Sequence, residues 1–348
     1  MAARKKDLPK PRPNLRDLPV VQPDAAGIDV GAAEHHVAVA PGRDPRPVRR
    51  IAAITADQNR QADRLAACGV RTVAMEATGV YWIPLFELLE SRGFEVSLVD
   101  PRQTKAVKGR PKTDRLDCQW IQRLHACGLL AGSFRPRDAI VALRGYLRQR
   151  QMLIRYAGSH VQHMQKALEQ MNIKLTEVVS DITGKTGMDI IRAILAGVRD
   201  PVELAKLRNT HCKVNEAGLA QALAGHWRAE HLFELKQALD LWEHLQGKLR
   251  ECDAEIERHL SSLPDRAGAA ALPPRPKVRK LKPREPGYDA RGLVYRAMGV
   301  DLTAIEGIDQ TTALVLLGRP AVGELPGKGW ARAGFSDRVS LGLAEGYP

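Results

Sequence analysis

Four carboxylates stand in three short contexts whose residue types and spacing suit metal chemistry. Asp29 lies in Gly27-Ile28-Asp29-Val30-Gly31, Glu76 in Ala74-Met75-Glu76-Ala77-Thr78-Gly79, and Asp114 and Asp117 in Lys112-Thr113-Asp114-Arg115-Leu116-Asp117. The first two end short apolar runs with the pattern of buried strands, and the last two are spaced to share one face of a helix. Mg²⁺ takes hard oxygen ligands, a few carboxylates completed by water and phosphate oxygens. Two such ions about 3.5–4 Å apart can generate a nucleophile and stabilise the leaving oxygen in phosphodiester cleavage. Four carboxylates brought together without a cation would repel one another and keep protons, so the set implies Mg²⁺, with two ions expected. Each acid alone has a plainer reading, because an Asp after a strand is commonly a turn or capping residue and a lone Asp-x-x-Asp is a weak motif. The order of the four and the basic segment beside Asp114 favour the metal reading.

Those acids need elements to bring them together. Residues 26–31, 35–40 and 47–55 are short runs separated by turn residues, including Pro41-Gly42, and the pattern predicts an antiparallel meander. Asp57 is the expected N-cap of a helix running to about Cys68. A strand over 70–77, a helix over 80–92 and a strand over 94–99 then alternate, which predicts a parallel portion of the sheet. The expected fold is a mixed α/β sheet, with Asp29 on its first, central strand and Glu76 on the strand beside it. Residues 101–115 hold Arg102, Lys105, Lys108, Arg110, Lys112 and Arg115, with prolines at 101 and 111. They read as a basic, nucleic-acid-binding loop leading into a helix over about 113–127.

From about residue 138 the apolar period becomes seven. Ile140, Leu147, Ile154, Val161 and Leu168 form one row, and Leu143, Ala157, Met164 and Met171 a second, with Arg150 as its polar exception. A second long amphipathic helix is predicted over 229–262, and a smaller helical segment over 180–225. Two long helices so joined predict a coiled-coil hairpin that could also be a dimer interface. Residues 263–286 mix Pro with Lys and Arg and read as an extended basic linker. A helix over 289–298 and a helix-turn-helix over 302–317, turning at Glu306-Gly307-Ile308, follow, and beyond Leu317 no periodic stripe remains.

The chain has 348 residues, a net charge of +13 and 44% hydrophobic residues, enough for folded cores and a basic surface that points to a polyanion. Nucleic acid is the first expected partner and an anionic membrane surface the second. No apolar run reaches the roughly 20 residues of a spanning helix, and the Pro-rich basic N-terminus lacks the apolar core of a secretory signal. Five cysteines without a Cys-x-x-Cys pair argue against a disulfide framework or zinc ribbon and fit a reducing cytosol.

The motifs Gly-Ile-Asp-Val-Gly, Met-Glu-Ala-Thr-Gly-Val-Tyr-Trp and Lys-Thr-Asp-Arg-Leu-Asp resemble those of DEDD-type insertion-sequence transposases related to the Piv/MooV DNA invertases. The likeness continues into Ile182-Thr183-Gly184-Lys185-Thr186-Gly187 and residues 190–201, and spans about 25–317. The resemblance implies an RNase H-like (RuvC-like) catalytic domain, a coiled-coil middle and a C-terminal transposase domain. It assigns Asp29, Glu76, Asp114 and Asp117 as catalytic and metal-binding residues. It also implies a nucleophilic serine in a Gly-rich C-terminal motif and, for some members, an element-encoded guide RNA. That serine motif has no counterpart here. Ser336 and Ser340, in Phe335-Ser336-Asp337 and Val339-Ser340-Leu341, are the only serines after residue 262, and neither context matches. The composition change at Gly318 reads as a frameshifted tail, so this copy is expected to lack recombinase activity.

Gly184-Lys185-Thr186 matches the end of a P-loop, but its first glycine would fall at Val179, which rejects it. His160 and His163 read as helix-face histidines. Of His35 and His36, strand alternation turns only one toward the acids. The arginines of 135–155 (Arg135, Arg137, Arg144, Arg148, Arg150 and Arg155) are either a solvated face or phosphate contacts, with Arg144 and Arg148 the expected nucleic-acid-binding residues. Tyr81 and Trp82 could stack on a base, although packing against the sheet is the plainer expectation. The expected organisation is a basic arm (1–24), a RuvC-like domain (25–134), a coiled-coil domain (135–262), a linker (263–287), a partial C-terminal domain (288–317) and an irregular tail (318–348). The expected function is a DNA transposase or recombinase that is a homo-oligomer through the coiled coil, cytoplasmic and nucleoid-associated. The alternatives are a Mg²⁺-dependent Holliday-junction-like nuclease or a non-catalytic nucleic-acid-binding remnant.

Overall fold

A computed structural model describes residues 18–77, 79–105, 114–133, 135, 138–210, 212–274 and 285–318, and for Lys105, Asp114 and Arg115 the backbone alone. The N-terminal arm to residue 17, Lys108, Arg110 and Lys112 of the basic loop, the linker core 275–284 and the tail from residue 319 lie outside the described residues. The chain divides into two compact units, Met1–Arg135 and Pro136–Pro348.

In the first unit, β1 (Ala25–Val30), β2 (Glu34–Ala38) and β3 (Val48–Ala52) form the antiparallel meander. α1 (Thr55–Ala67) leads to β4 (Thr72–Glu76), and α2 (Ile83–Ser91) to β5 (Glu95–Val99), both strands parallel to β1. α3 (Pro101–Lys105) and α4 (Asp114–Ala126) complete the unit. The strand order β3-β2-β1-β4-β5 makes β1 central and β4 its neighbour, as the sequence predicts. Because side chains alternate along a strand, each strand supplies two layers. Ala26, Ile28, Val30, Val73 and Met75 form one core with Leu65 of α1 and Leu85, Phe86 and Leu89 of α2. The opposite layer (Ala25, Gly27 and Asp29 of β1; Thr72, Ala74 and Glu76 of β4) faces α4. There Gln122 Nε2 donates to Ala25 O at 3.2 Å, Thr72 Oγ1 meets His125 Nε2 at 2.8 Å, and Ala74 and Val99 pack on Ile121.

Three local expectations are corrected. Asp57 is in the first turn of α1, where it pairs with Arg60, and Ile54 holds the N-cap position. α2 begins at Ile83, not Val80, because Gly79 turns the chain with φ +55° and Pro84 starts the helix without needing an amide hydrogen. The basic loop opens with a helical turn, α3, held by Trp120 Nε1 donating to Thr104 O at 3.2 Å.

Asp44, in the turn between β2 and β3, has a side chain only 5% exposed. It accepts from Arg46 N at 2.8 Å, Arg64 Nε at 2.7 Å and Arg49 Nη2 at 2.8 Å. The Arg46 backbone hydrogen bond, followed by that from Arg64, holds its carboxyl well below the usual carboxylate range. The unfolded chain binds this proton more readily than the native state does. Stability from Asp44 is therefore complete above about pH 4 and is lost as pH falls toward the depressed value. Asp44→Asn is expected to be less stable than wild type in urea melts at pH 7, with the gap narrowing in melts at pH 3. A gap that widens on acidification would reject this account.

The second unit is helical. In chain order it holds α5 (Asp138–Gln170), α6 (Leu175–Val178), α7 (Lys185–Leu195), α8 (Pro201–Ala205), α9 (Glu216–Leu223), α10 (Ala229–Ser261), α11 (Ala290–Met298) and α12 (Gln310–Leu317), with a 3-10 turn at Leu302–Ala304. α5 and α10 have 33 residues each and run antiparallel, since His259 meets Ala139 O, Arg150 pairs with Asp253, and Leu168 shares a core with Leu235. Helices α6 to α9 contribute to that core at one end of the pair. Leu143, Ile256 and Leu260 join α11, the 3-10 turn and α12 in a second core at the other. Leu143, Ala157, Met164 and Met171 are buried, whereas in the other row Ile140, Leu147, Ile154 and Val161 are half-buried and Leu168 alone is buried. Arg150, in the buried row, is not part of a solvated face: its side chain is 7% exposed and ion-paired to Asp253.

Candidate active site at the carboxyl end of the central strands

Ile28 of β1 is in register with Met75 of β4, so Asp29 and Glu76 follow at the next position on adjacent parallel strands. Neighbouring strands lie about 4.8 Å apart. Both acids are half-buried and belong to the sheet layer that faces α4. Glu76 Oε2 accepts from Thr104 Oγ1 at 3.0 Å, so α3 orients this carboxylate.

α4 carries the other pair. Asp114 is its first residue and Asp117 lies one turn further on, where the helix N-terminus favours negative charge. What brings this turn to β1 is Gly27. A Cβ there would stand 2.2 Å from Gln122 N and 2.5 Å from Cys118 O, so the α4 backbone lies directly on the strand two residues before Asp29. Cys118 follows Asp117, whose Oδ1 is buried. Asp29 and Glu76 thus end adjacent strands on the sheet face that α4 covers, and α4 begins at Asp114 and carries Asp117 one residue before the Cys118 carbonyl that meets Gly27. Among the described residues no three His, Cys, Asp or Glu side chains are grouped closely enough to hold a metal ion, and the Asp114 side chain is not among those described. The donor set is all carboxylate oxygen, which is the chemistry Mg²⁺ takes.

The two histidines after β1 separate as alternation requires. His35 is fully buried against α1, with Nε2 3.1 Å from Gln58 Nε2, and burial lowers its pKa. His36 is the cross-strand partner of Asp29 and in turn pairs with Arg50 of β3. An imidazole and a guanidinium therefore share the acids' sheet face: alternation allows one of the two histidines there, and register makes it His36 and adds Arg50.

Of the expected nucleic-acid-binding residues, Arg102 is exposed beside the site, with its backbone N donating to Asp100 Oδ1 at 2.8 Å. Arg148 is exposed and Arg144 half-buried on α5. Arg135 is engaged internally, bonded to Glu87 and Glu90 with its guanidinium 4.5 Å from the Phe86 ring centre. Lys108, Arg110 and Lys112, the Lys105 and Arg115 side chains, and Ser336 and Ser340 fall outside what is described. In the second unit, Gly184 is the N-cap of α7, and a Cβ on Gly187 would stand 2.3 Å from Ile182 O. The glycine at 187 thus serves close packing of a turn, and a phosphate loop is not needed to explain it.

A five-stranded mixed sheet with helices on both faces, and with acids at the carboxyl ends of its two central strands, fits an α/β domain of the RNase H-like kind. Residues 26–173 match the model of an IS110-type DEDD transposase family, described as Transposase. The match takes in all four acids and ends before the Ile182–Gly187 motif. No curated protein matches the chain.

Proposed function

We propose that the chain is the DNA transposase or recombinase of a mobile insertion sequence, with Asp29, Glu76, Asp114 and Asp117 holding Mg²⁺ against a scissile phosphate. The observation that carries this reading is the coincidence of the family match with acids on two adjacent strand ends and on the helix packed over them. When bound, Mg²⁺ would supply charge to the phosphate oxygens and a lowered pKa to a coordinated nucleophile. Asp29 and Glu76 would fix the ions from the rigid sheet, with Thr104 holding the Glu76 carboxylate in place. Asp114 and Asp117 would close the site from α4. Arg102 and the basic residues that follow, together with Arg144 and Arg148, would bind the sugar-phosphate backbone. An element-encoded guide RNA and a homo-oligomer built through a coiled coil of the long helices complete the reading. No described helix is long and apolar enough to cross a membrane.

A second reading needs the acids alone, which with water would cleave branched DNA without a covalent link. Cleavage of a four-way DNA junction and of an element end, with Mg²⁺ or EDTA, tests both. Asp29→Asn is expected to lower Mg²⁺-dependent cleavage by about 100-fold or more while DNA binding persists. A covalent protein–DNA adduct would favour the recombinase and its absence the nuclease. Binding with no cleavage in wild type would leave the non-catalytic remnant.

A further inference from the structure

We propose that Tyr81 is a stacking platform for an unpaired nucleobase at the edge of the acidic site, so that the chain engages nucleic acid whose bases are unstacked in preference to continuous duplex. The proposal deepens the phosphodiester-site reading and rests on it for the identity of the ligand. Tyr81 is 47% exposed and Val80 66% exposed, and Tyr81 is the one exposed aromatic among the described residues of the first unit. The plainer expectation, packing against the sheet, is met by its neighbour instead. Trp82 lies edge-on to Phe86 at 5.6 Å, and Phe86 is buried in the core.

An exposed ring is a useful platform only if it is held, and this one is. Gly79 adopts φ +55°, and a Cβ on it would lie 3.5 Å from Tyr81 Cε2, so the ring rests on the turn. Trp82 Nε1 donates to Gly79 O at 3.0 Å, tying the same turn to the aromatic pair beneath. Tyr81 follows Glu76 by five residues, which limits its Cα to about 18 Å from that of the acid. Arg102 is exposed at the end of the neighbouring strand β5. Cationic side chains that track the backbone, with an aromatic face for a base, are the elements of single-strand recognition, because every base offers a π-face.

The test uses the full chain in EDTA, which keeps cleavage out of the measurement. Three 20-nucleotide probes of one sequence, each carrying a single 2-aminopurine, are titrated: single-stranded DNA, single-stranded RNA and duplex DNA. Tyr81→Ala is expected to weaken binding of one or both single-stranded probes by about 5- to 150-fold and to remove their fluorescence change. Duplex affinity should stay within about twofold. Tyr81→Trp should restore both single-strand readouts, and the DNA and RNA arms tell which strand supplies the base. Equal loss on duplex and single strand, no loss on either, or a Tyr81→Trp protein as weak as Tyr81→Ala would overturn the proposal. Failure of the acid-site reading is distinguishable, because it would appear as Asp29→Asn cleaving like wild type whatever Tyr81 does.

Discussion

Gly27→Ala is expected to destabilise the first unit by roughly 3 kcal/mol and to weaken divalent-metal binding at the proposed site together with stability. The added methyl would meet Gln122 N at 2.2 Å, Cys118 O at 2.5 Å and Gln122 Cα at 2.7 Å. All three are backbone atoms, so no rotamer change relieves the overlap. Only displacement of α4 by about 1 Å can do so, since unstrained contacts begin near 3.5 Å. That displacement would stretch the Gln122–Ala25 and Thr72–His125 hydrogen bonds and shift Asp117 relative to Asp29. A large core substitution elsewhere in the sheet would cost stability alone, whereas this one also moves two acids as a rigid pair. Gly145→Ala is the matched control, because a Cβ there has nothing within 4 Å and the position is inside α5. It should stabilise by up to about 1 kcal/mol through helix propensity. Urea denaturation and Mn²⁺ titration by calorimetry read the two effects. A Gly27→Ala protein that melts within about 0.5 kcal/mol of wild type would show that α4 is not seated on β1 as described.

The same residue shows what was and was not legible in the sequence. The strand order could be read, because short apolar runs separated by turns become a meander and runs separated by helices become parallel neighbours. That placed Asp29 on a central strand and Glu76 beside it, as found. The reason for Gly27 was not legible, because it depends on a helix some ninety residues later lying across that position. Strand alternation turns one of His35 and His36 toward the acids, but that it is His36, with Arg50 beyond it on the same face, was not legible: register is a property of pairing, and no local pattern states it. Tyr81 shows a different limit. Tyr81 and Trp82 are adjacent aromatics at a turn, and composition cannot say which one packs. The αL turn at Gly79 decides it by pointing Trp82 at Phe86 and leaving Tyr81 outside. Arg150 shows how a heptad pattern can be right in period and silent about its exception. The row 143, 150, 157, 164, 171 is the buried one, and the arginine within it is buried too.

That arginine sets the second large effect. Arg150→Ala is expected to cost about 3–5 kcal/mol, because it leaves the Asp253 carboxylate, 16% exposed, inside the α5–α10 interface without its guanidinium. Arg150 Nη2 donates to Asp253 Oδ2 at 3.3 Å, and its Nε also bonds the same carboxylate. The surroundings are apolar or weakly polar. Cys252, next in chain, has its thiol pushed up by burial and then by the Asp253 charge, and burial followed by the same charge raises the Tyr288 hydroxyl. Such a site penalises a lone charge far more than it rewards a pair, since both ions lose water on folding and their attraction offsets most of that loss. The double substitution Arg150→Leu with Asp253→Leu should therefore lie within about 1 kcal/mol of wild type, or above it, by continuing the apolar row of Leu143 and Ala157. A double-mutant cycle in urea, followed by helix circular dichroism, measures the coupling. If the double variant is no more stable than Arg150→Ala, the pair is more than a compensated charge, and its geometry is itself needed to set the register of α5 against α10. If Arg150→Ala alone costs under about 1 kcal/mol, water reaches Asp253 freely and the interface is looser than the described packing.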